Sequence, residues 1–296
     1  MNAEQQPIFI CSTIAEMHIQ IALAREAGST IGCVPTMGYL HEGHASLIRA
    51  AALKHRFVVA SIFVNPTQFG PSEDFERYPR DLERDLAVLQ EAGATHLFLP
   101  SVQEMYPDGV QSSIQLSGVS EVLEGAFRPT HFNGVATVVA RLFQAMLPDE
   151  AFFGQKDLQQ TLVIKQLVRT SNDPAVSNTR VTVMPTIRES DGLAKSSRNV
   201  YLNAEDRREA AVIYNALMSA RDALLSGHVH CDEAESIMRE TLSTVPRLQI
   251  DYAVAVDAET LQTDSGRMPN EIALCIAAKL GNTRLIDNMV VRMPTT

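Results

Sequence analysis

The chain has 296 residues, 45% of them hydrophobic and 20% charged, which is enough for two domains with a sizeable core and is an ordinary globular balance. Its net charge of −10, from 25 basic against 35 acidic residues, argues against nonspecific nucleic-acid binding, which needs a basic surface. The longest apolar runs, such as 57–60, are far too short to span a bilayer. The first seven residues lack the basic start and apolar core of a signal peptide, and four scattered cysteines (Cys11, Cys33, Cys231, Cys275) read as reduced thiols, so a cytoplasmic protein is expected.

Thr13-x-x-Glu16 is a capping-box pattern that opens a helix running to Gly28. An apolar strand follows at 30–34, with Cys33 read as core packing. Next comes Val34-Pro-Thr-Met-Gly-Tyr-Leu-His-Glu-Gly-His-Ala45, and then a helix to about Lys54. The order strand, glycine-containing turn, helix is the start of an open α/β sheet, and such sheets bind ligands at the carboxyl ends of their strands. His41 and His44 are three apart and share a face on the first helical turn. Gly43 lets a flat ligand or phosphate approach the backbone. The helix N-terminus favours an anion, and two imidazoles add donors whose charge is adjustable near neutral pH. The combination suits a nucleoside triphosphate attacked at phosphorus. On spacing alone, His-x-x-His is equally a surface pair or half of a metal site. The strand before it and the helix after it favour the catalytic reading.

The run 57–64 is apolar on both faces, as a central parallel strand requires. It ends in Phe63-Val-Asn-Pro-Thr-Gln-Phe69, where Asn65 and Gln68 suit a small hydroxy acid or amide. Asn-Pro is also a common turn starter, so turn and ligand contact stay open here. A helix from about Arg80 to Gly93 carries Leu82, Leu86 and Leu89, and 95–99 is the next strand. A further strand is expected at 113–116. The run 121–134 is charged, aromatic and glycine-bearing, in keeping with a lid or subunit contact. Val135, Val139, Leu142 and Met146 mark another helix.

The strand 151–153 leads through Gly154 into a helix from Gln155 to Arg169. Lys156 at its start can hold a phosphate as a point charge. Asp157 can accept from ribose hydroxyls or simply cap the helix. Gln160 lies one turn on. The strand 180–184 ends the alternation, which predicts a doubly wound parallel sheet. Beyond Pro185, the polar run 187–199 places two serines, Ser196 and Ser197, beside Lys195 and Arg198. This is either a compact anion-binding set or a solvated interdomain loop. One long helix from Asn203 to about Leu225, a second at 232–242 and three strands (249–256, 271–277, 284–291) then suggest an α+β domain. The expected division is 1–185, the parallel α/β domain, and 186–296, a smaller C-terminal α+β domain.

Together, Pro35-Thr-Met-Gly, His41-x-Gly-His44, Phe63-Val-Asn-Pro-x-Gln-Phe69, Tyr78-Pro-Arg80, His131-Phe, Phe153-Gly-x-Lys-Asp157, Asp191-Gly-Leu, Ser196-Ser-Arg-Asn199 and Arg284-Leu-Ile-Asp-Asn288 resemble the pantothenate synthetase family, in order along nearly the whole chain. His-x-Gly-His alone would imply only the wider nucleotidylyltransferase superfamily. The resemblance implies a Rossmann-like domain, a C-terminal domain that closes as a lid, and a homodimer. It implies ATP-dependent joining of pantoate to β-alanine through pantoyl-adenylate, with Mg²⁺, on the way to coenzyme A. Carried over by position, Met37, Gly38, Tyr39, Leu40, His41, Glu42, Gly43 and His44 line the ATP site, with Gly154, Gln155, Lys156, Asp157, Ile187, Lys195, Ser196, Ser197 and Arg198. Of these, His41, His44 and Lys156 are catalytic. Gln68 meets pantoate and β-alanine, Gln160 meets pantoate, and Asn65 joins the substrate set. The sequence does not identify the metal ligands, and Mg²⁺ is expected to bind phosphates more than protein. Two positions depart from the family pattern: Lys195 stands where leucine is usual, and Thr130 where glycine is. An adenylyltransferase that never makes an amide, or a nucleotide sensor on the same fold, are the rival readings.

Overall fold

A computed structural model describes residues 7–70, 75–263 and 269–294. The N-terminal segment 1–6, on which most of the targeting expectation rests, lies outside the described residues. Two units emerge: residues 1–154 with 160–185, and residues 155–159 with 186–296.

The first unit is built on six parallel strands. They are β1 (Phe9–Cys11), β2 (Ile31–Thr36), β3 (Phe57–Ile62), β4 (His96–Phe98), β5 (Glu150–Gly154) and β6 (Arg180–Met184), in the spatial order β1-β4-β3-β2-β5-β6. From β2 the chain builds outward on one side through β3 and β4. It then returns to add β5 and β6 on the other. The β2/β5 boundary is therefore the topological switch point, the place where open sheets of this kind bind ligands.

Helices cover both faces. These are α1 (Ile14–Glu26), α2 (Glu42–Ala52), α3 (Leu82–Ala92), the short α4 (Val102–Met105) and α5 (Glu124–Phe127), α6 (His131–Met146), α7 (Leu158–Thr170) and α8 (Pro174–Ser177). The capping box of α1 forms as expected: Glu16 N–H donates to Thr13 Oγ1 at 3.2 Å, and Thr13 N–H donates to Glu16 Oε2 at 3.1 Å. Side chains alternate between two cores with the period of a strand. Ile31, Cys33, Phe57, Val59, Ala151 and Phe153 join α1 and α6 on one face. Val34, Val58, Ala60 and Phe152 join α2 and α3 on the other. Cys33 is fully buried, and burial pushes its thiol well above the ordinary range, as befits packing.

In the second unit, α9 (Ala204–Glu209), α10 (Val212–Leu225) and α11 (Cys231–Ser243) precede an antiparallel sheet of β7 (Leu248–Asp257), β8 (Glu271–Leu280) and β9 (Thr283–Arg292), with β8 central. Ile213, Leu217 and Leu224 of α10 and Met238 of α11 share a core with Ile272, Leu274 and Ile276 of β8. Among the described residues no helix is long and apolar enough to cross a membrane.

Three expectations change. Residues 113–116 form no strand: the N–H groups of Ser113 and Ile114 both donate to Thr137 Oγ1 on α6, at 3.1 Å each, instead of to a neighbouring strand. The single helix expected from Asn203 is two, because Ile213 N–H bonds the Ala210 carbonyl at 3.2 Å, a tighter turn that ends α9 and restarts as α10. The helix expected from Gln155 begins as a 3₁₀ turn, Gln155–Asp157, and only then becomes α7.

Candidate active site

In the N-terminal unit the site is built on the turn between β2 and α2. Thr36 Oγ1 donates to the Ser61 carbonyl on β3 at 2.6 Å and accepts from Gly38 N–H at 3.1 Å. The chain then takes two consecutive residues in the left-handed region, Gly38 (φ 85°) and Tyr39 (φ 50°). A non-glycine residue holds that conformation only when its surroundings impose it. Here the imposing group is Asp85 on α3, which sequence reasoning missed. Its buried carboxylate accepts from Tyr39 N–H at 2.8 Å and from Leu40 N–H at 2.6 Å. Burial raises its pKa, and the two backbone donors oppose the rise. Arg84 lies over the Tyr39 ring at 4.7 Å.

His41 is the N-cap of α2, in extended conformation, and His44 is its third residue. The two rings cap reciprocally. His41 Nδ1 accepts from Gly43 N–H at 3.1 Å, and His44 Nδ1 accepts from His41 N–H at 3.2 Å. Their ring centroids are 4.1 Å apart. With both Nδ1 atoms accepting, each neutral ring carries its proton on Nε2. Gly43 also makes room for the cap: a Cβ there would sit 2.8 Å from Cε1 of the His41 ring. The Glu42 carboxylate pairs with Arg49 at 2.5 Å.

After β3, Asn65 caps the turn Pro66–Gln68 and is almost wholly buried. Its Oδ1 accepts from Tyr106 Oη at 2.7 Å and from Thr67 N–H at 3.3 Å, while its Nδ2 donates to the Gly134 carbonyl at 3.2 Å. The turn reading thus has a geometric basis, and the amide is occupied in holding Gln68. Gly134 on α6 is needed because a Cβ would lie 2.4 Å from the Thr67 carbonyl oxygen. The Gln68 amide Nε2 lies 2.8 Å from Met37 Sδ. The Gln68 carbonyl accepts from Arg128 Nη2 at 3.2 Å and lies 2.9 Å from His131 Nδ1. Arg128 and His131 fall in the run 121–134, read from the sequence as a lid or subunit contact. Thr130 is right-handed (φ −98°, ψ −10°), so the usual glycine is not required there. Gly154 ends β5 at the switch point, and the space where its Cβ would stand is open. Gln160 lies in the first turn of α7.

In the C-terminal unit, Lys156 on the 3₁₀ turn pairs with Asp157 at 3.2 Å. Residues 187–195 form a hairpin, with Lys195 N–H on the Ile187 carbonyl at 2.9 Å and Glu189 N–H on the Leu193 carbonyl at 2.8 Å. Gly192 (φ 90°) turns it, and a Cβ there would collide with the Tyr214 ring. Across the hairpin Lys195 pairs with Glu189 at 3.1 Å, a partner not expected from the sequence. Ser196 caps the following 3₁₀ turn, Ser197–Tyr201, by accepting from Arg198 N–H at 3.3 Å. Asp191 is held below the usual carboxylate range by Arg207, 2.5 Å away.

Among the described residues no group of three or more His, Cys, Asp or Glu side chains is placed to hold a metal ion. A divalent cation bound chiefly by nucleotide phosphates and water needs no such cage.

The chain matches the pattern of the family described as pantoate-beta-alanine ligase over residues 9–290. It is 48% identical over 284 residues to pantothenate synthetase of Moorella thermoacetica, covering 96% of this chain and 99% of that one. It is 48% identical over 272 residues to the Herpetosiphon aurantiacus pantothenate synthetase, covering 92% and 97%. In structure it is similar to pantothenate synthetase from Thermus thermophilus, with a TM-score of 0.87 and 48% identity over 95% of this chain and 99% of that one. It is also similar to a Francisella tularensis pantoate-beta-alanine ligase complexed with beta-gamma ATP and beta-alanine, with a TM-score of 0.77 and 35% identity over 96% and 97%. The chain belongs to the pantoate–β-alanine ligase family.

Proposed function

We propose that the protein joins (R)-pantoate to β-alanine at the expense of ATP, giving pantothenate, AMP and pyrophosphate. In the first step a pantoate carboxylate oxygen attacks the α-phosphorus and pyrophosphate leaves. In the second, the neutral β-alanine amine attacks the carbonyl of pantoyl-adenylate. The C–O bond to AMP breaks, and the amine loses a proton as the amide forms. The carboxylate is already nucleophilic, so the first step asks the protein for alignment and for stabilisation of charge on phosphate.

The observation that carries this reading is the histidine pair at the α2 N-terminus, beside the sheet's switch point. Two Nε2–H donors at the positive end of a helix dipole suit a phosphate. Within the N-terminal unit, Met37–His44 and Gly154 are the proposed nucleotide contacts. Gln68 and Gln160 are assigned to pantoate, and Gln68 also to β-alanine. Asn65 caps the turn that carries Gln68 and donates to its side-chain oxygen at 3.4 Å. Within the C-terminal unit, Lys156, Ser196, Ser197 and Arg198 are the proposed phosphate ligands, with Gln155, Asp157 and Ile187 as further nucleotide contacts. Lys195 is occupied by Glu189 and is the weakest member of that set. Mg²⁺ bound together with ATP would supply further charge neutralisation at the phosphates, alongside these side chains. We further propose a cytoplasmic homodimer. The four cysteines, scattered with no paired spacing, fit a reducing compartment, and the dimer is testable by sedimentation.

The test is a partial reaction. Labelled pyrophosphate should exchange into ATP with enzyme, Mg²⁺ and pantoate, without β-alanine, because the amine enters only after the adenylate forms. Exchange that needed β-alanine would reject the ordered mechanism. Exchange without pantoate would point to another acceptor.

A further inference from the structure

The chemistry above leaves the run Arg284-Leu-Ile-Asp-Asn288 without a role. It lies on β9, inside the C-terminal unit. Asn288 is 5% exposed, and its side-chain amide makes two donations in one direction. Nδ2 donates to the Gln155 carbonyl at 2.9 Å and to the Lys156 carbonyl at 2.8 Å. Its neighbour Asp287, 4% exposed, takes a bidentate pair from Arg188, Nη1 at 2.5 Å and Nη2 at 3.0 Å. Arg188 Nη2 also donates to the Asn288 carbonyl at 3.2 Å, and Nη1 to the Gly192 carbonyl at 3.0 Å. Two adjacent residues of one strand therefore grip both segments that carry the proposed phosphate ligands of this unit: the turn with Lys156 and the hairpin leading to Ser196–Arg198.

The sheet itself does not require the Asn288 amide. β9 is already paired to β8 through its backbone, with Asn288 opposite Cys275. The turn Gln155–Asp157, by contrast, is three residues of 3₁₀ helix, a conformation with poor internal hydrogen-bond geometry. Its peptide planes are set by what they touch. One NH₂ group bridging two successive carbonyls fixes both planes, and so fixes the direction in which the Lys156 side chain leaves the backbone. A long side chain magnifies any tilt at its root. Aspartate fills the same space but presents no donor, and alanine reaches neither carbonyl.

We infer that Asn288 is a positioning residue that aims Lys156 at the ATP phosphates, acting through the backbone of the Gln155–Asp157 turn. This rests on the assignment of Lys156 to phosphate, and the test separates the two. Pantoate-dependent pyrophosphate–ATP exchange is measured on the full-length wild type, Asn288→Ala, Asn288→Asp, Lys156→Ala and the double variant Asn288→Ala/Lys156→Ala, with a thermal melt of each. Asn288→Ala and Asn288→Asp should each lower the exchange rate about 10- to 100-fold, the scale expected of a small misplacement of a catalytic group, with the pantoate KM unchanged. In the Lys156→Ala background, Asn288→Ala should cost less than about twofold, since the group it positions is gone. Wild-type exchange in Lys156→Ala would overturn the Lys156 assignment. An impaired Lys156→Ala on which Asn288→Ala multiplies its full effect would overturn the positioning role alone, as would Asn288→Ala or Asn288→Asp with lowered melting temperature but wild-type exchange. Should Asn288→Ala not fold, the isosteric Asn288→Asp takes its place in the cycle and is judged by the same outcomes.

Discussion

Replacing Asp85 by asparagine removes one of two acceptors at a place that needs both. One carboxylate oxygen takes the Tyr39 N–H at 2.8 Å and the other takes the Leu40 N–H at 2.6 Å. In Asp85→Asn one of those N–H groups must face an NH₂ group, so a buried donor loses its partner. A hydrogen bond to a charged group is worth about 1.5–3 kcal/mol. Part of that is offset, because burial penalises the carboxylate and raises its pKa, and asparagine escapes the penalty. A net loss of about 2 kcal/mol remains, and at roughly 2–4 °C per kcal/mol for a unit of this size the melting temperature should fall by about 4–8 °C. The second effect is kinetic. Gly38 and Tyr39 are left-handed, and the Asp85 carboxylate holds the backbone there. Once released, the turn should relax and the ATP KM should rise on the order of tenfold, with the pantoate KM little changed. Differential scanning fluorimetry and initial-rate kinetics read both. An unchanged melting temperature would refute the hydrogen-bond argument. A lowered one with an unchanged ATP KM would refute the link between this turn and ATP.

His44→Ala should reduce pantoate-dependent pyrophosphate exchange on the order of 10²-fold, as for loss of a preorganised donor. It should cost only about 1 kcal/mol of stability, the usual worth of a helix cap, so a variant that unfolds outright would sink this prediction. Lys195→Leu should leave both the ATP and the pantoate KM within about twofold, because it breaks only a partly exposed pair with Glu189 worth about 0–1 kcal/mol. A selective rise in the ATP KM would instead give Lys195 a phosphate. Glu150 has no exposed side-chain surface; burial raises its pKa, but Arg180, Lys54, Thr182 and His55 outweigh that and lower it from 4.5 to about 2. Its folded pKa lies below the unfolded one, so its contribution of roughly 3 kcal/mol is present above pH 4.5 and is lost as the pH falls towards 2. Acid titration of Glu150→Gln should show a flatter stability curve in that window, and a curve parallel to the wild type would contradict the assignment.

Strands β2 to β9 and the longer helices were legible because their signals are local, whereas the three-residue β1 was not expected. The run from Phe57 is apolar on both faces, and it packs into one core through Phe57 and Val59 and into the other through Val58 and Ala60. Thr13 and Glu16 needed only each other. The failures were non-local. Residues 113–116 have strand-like composition, but Thr137 on α6, 24 residues from Ser113, takes their N–H groups. At the candidate site the sequence pointed to the histidine pair and to Asn65, and missed Asp85, which holds the turn before the pair. Asp85 is one acidic residue among several on an amphipathic helix, and nothing in its spacing says that it reaches back 45 residues to Leu40. Gly43 was visible, but the crowding by the His41 ring that also calls for glycine there was not. Lys195 could be seen to depart from the family pattern. That it meets Glu189 follows only from the hairpin register.

The capping geometry of the histidine pair also bears on what the rings can do. A general base at Nε2 must present a bare lone pair there, which puts the proton of the neutral ring on Nδ1. In His41 that proton would point at the Gly43 N–H, and in His44 at the His41 N–H, setting donor against donor at 3.1 and 3.2 Å. Such a tautomer would break both caps and leave helix-start N–H groups without acceptors. The fold therefore favours the opposite tautomer, in which each Nε2 donates. Donation to phosphate is what attack by a ready-made carboxylate requires, since that step has charge to stabilise and no proton to remove. The proton that does have to leave belongs to the β-alanine amine in the second step. While both caps are intact, neither neutral imidazole has a lone pair to receive it. The two rings are thus suited to adenylate formation, and loss of either should weigh on pyrophosphate exchange more than on the reaction of preformed pantoyl-adenylate with β-alanine.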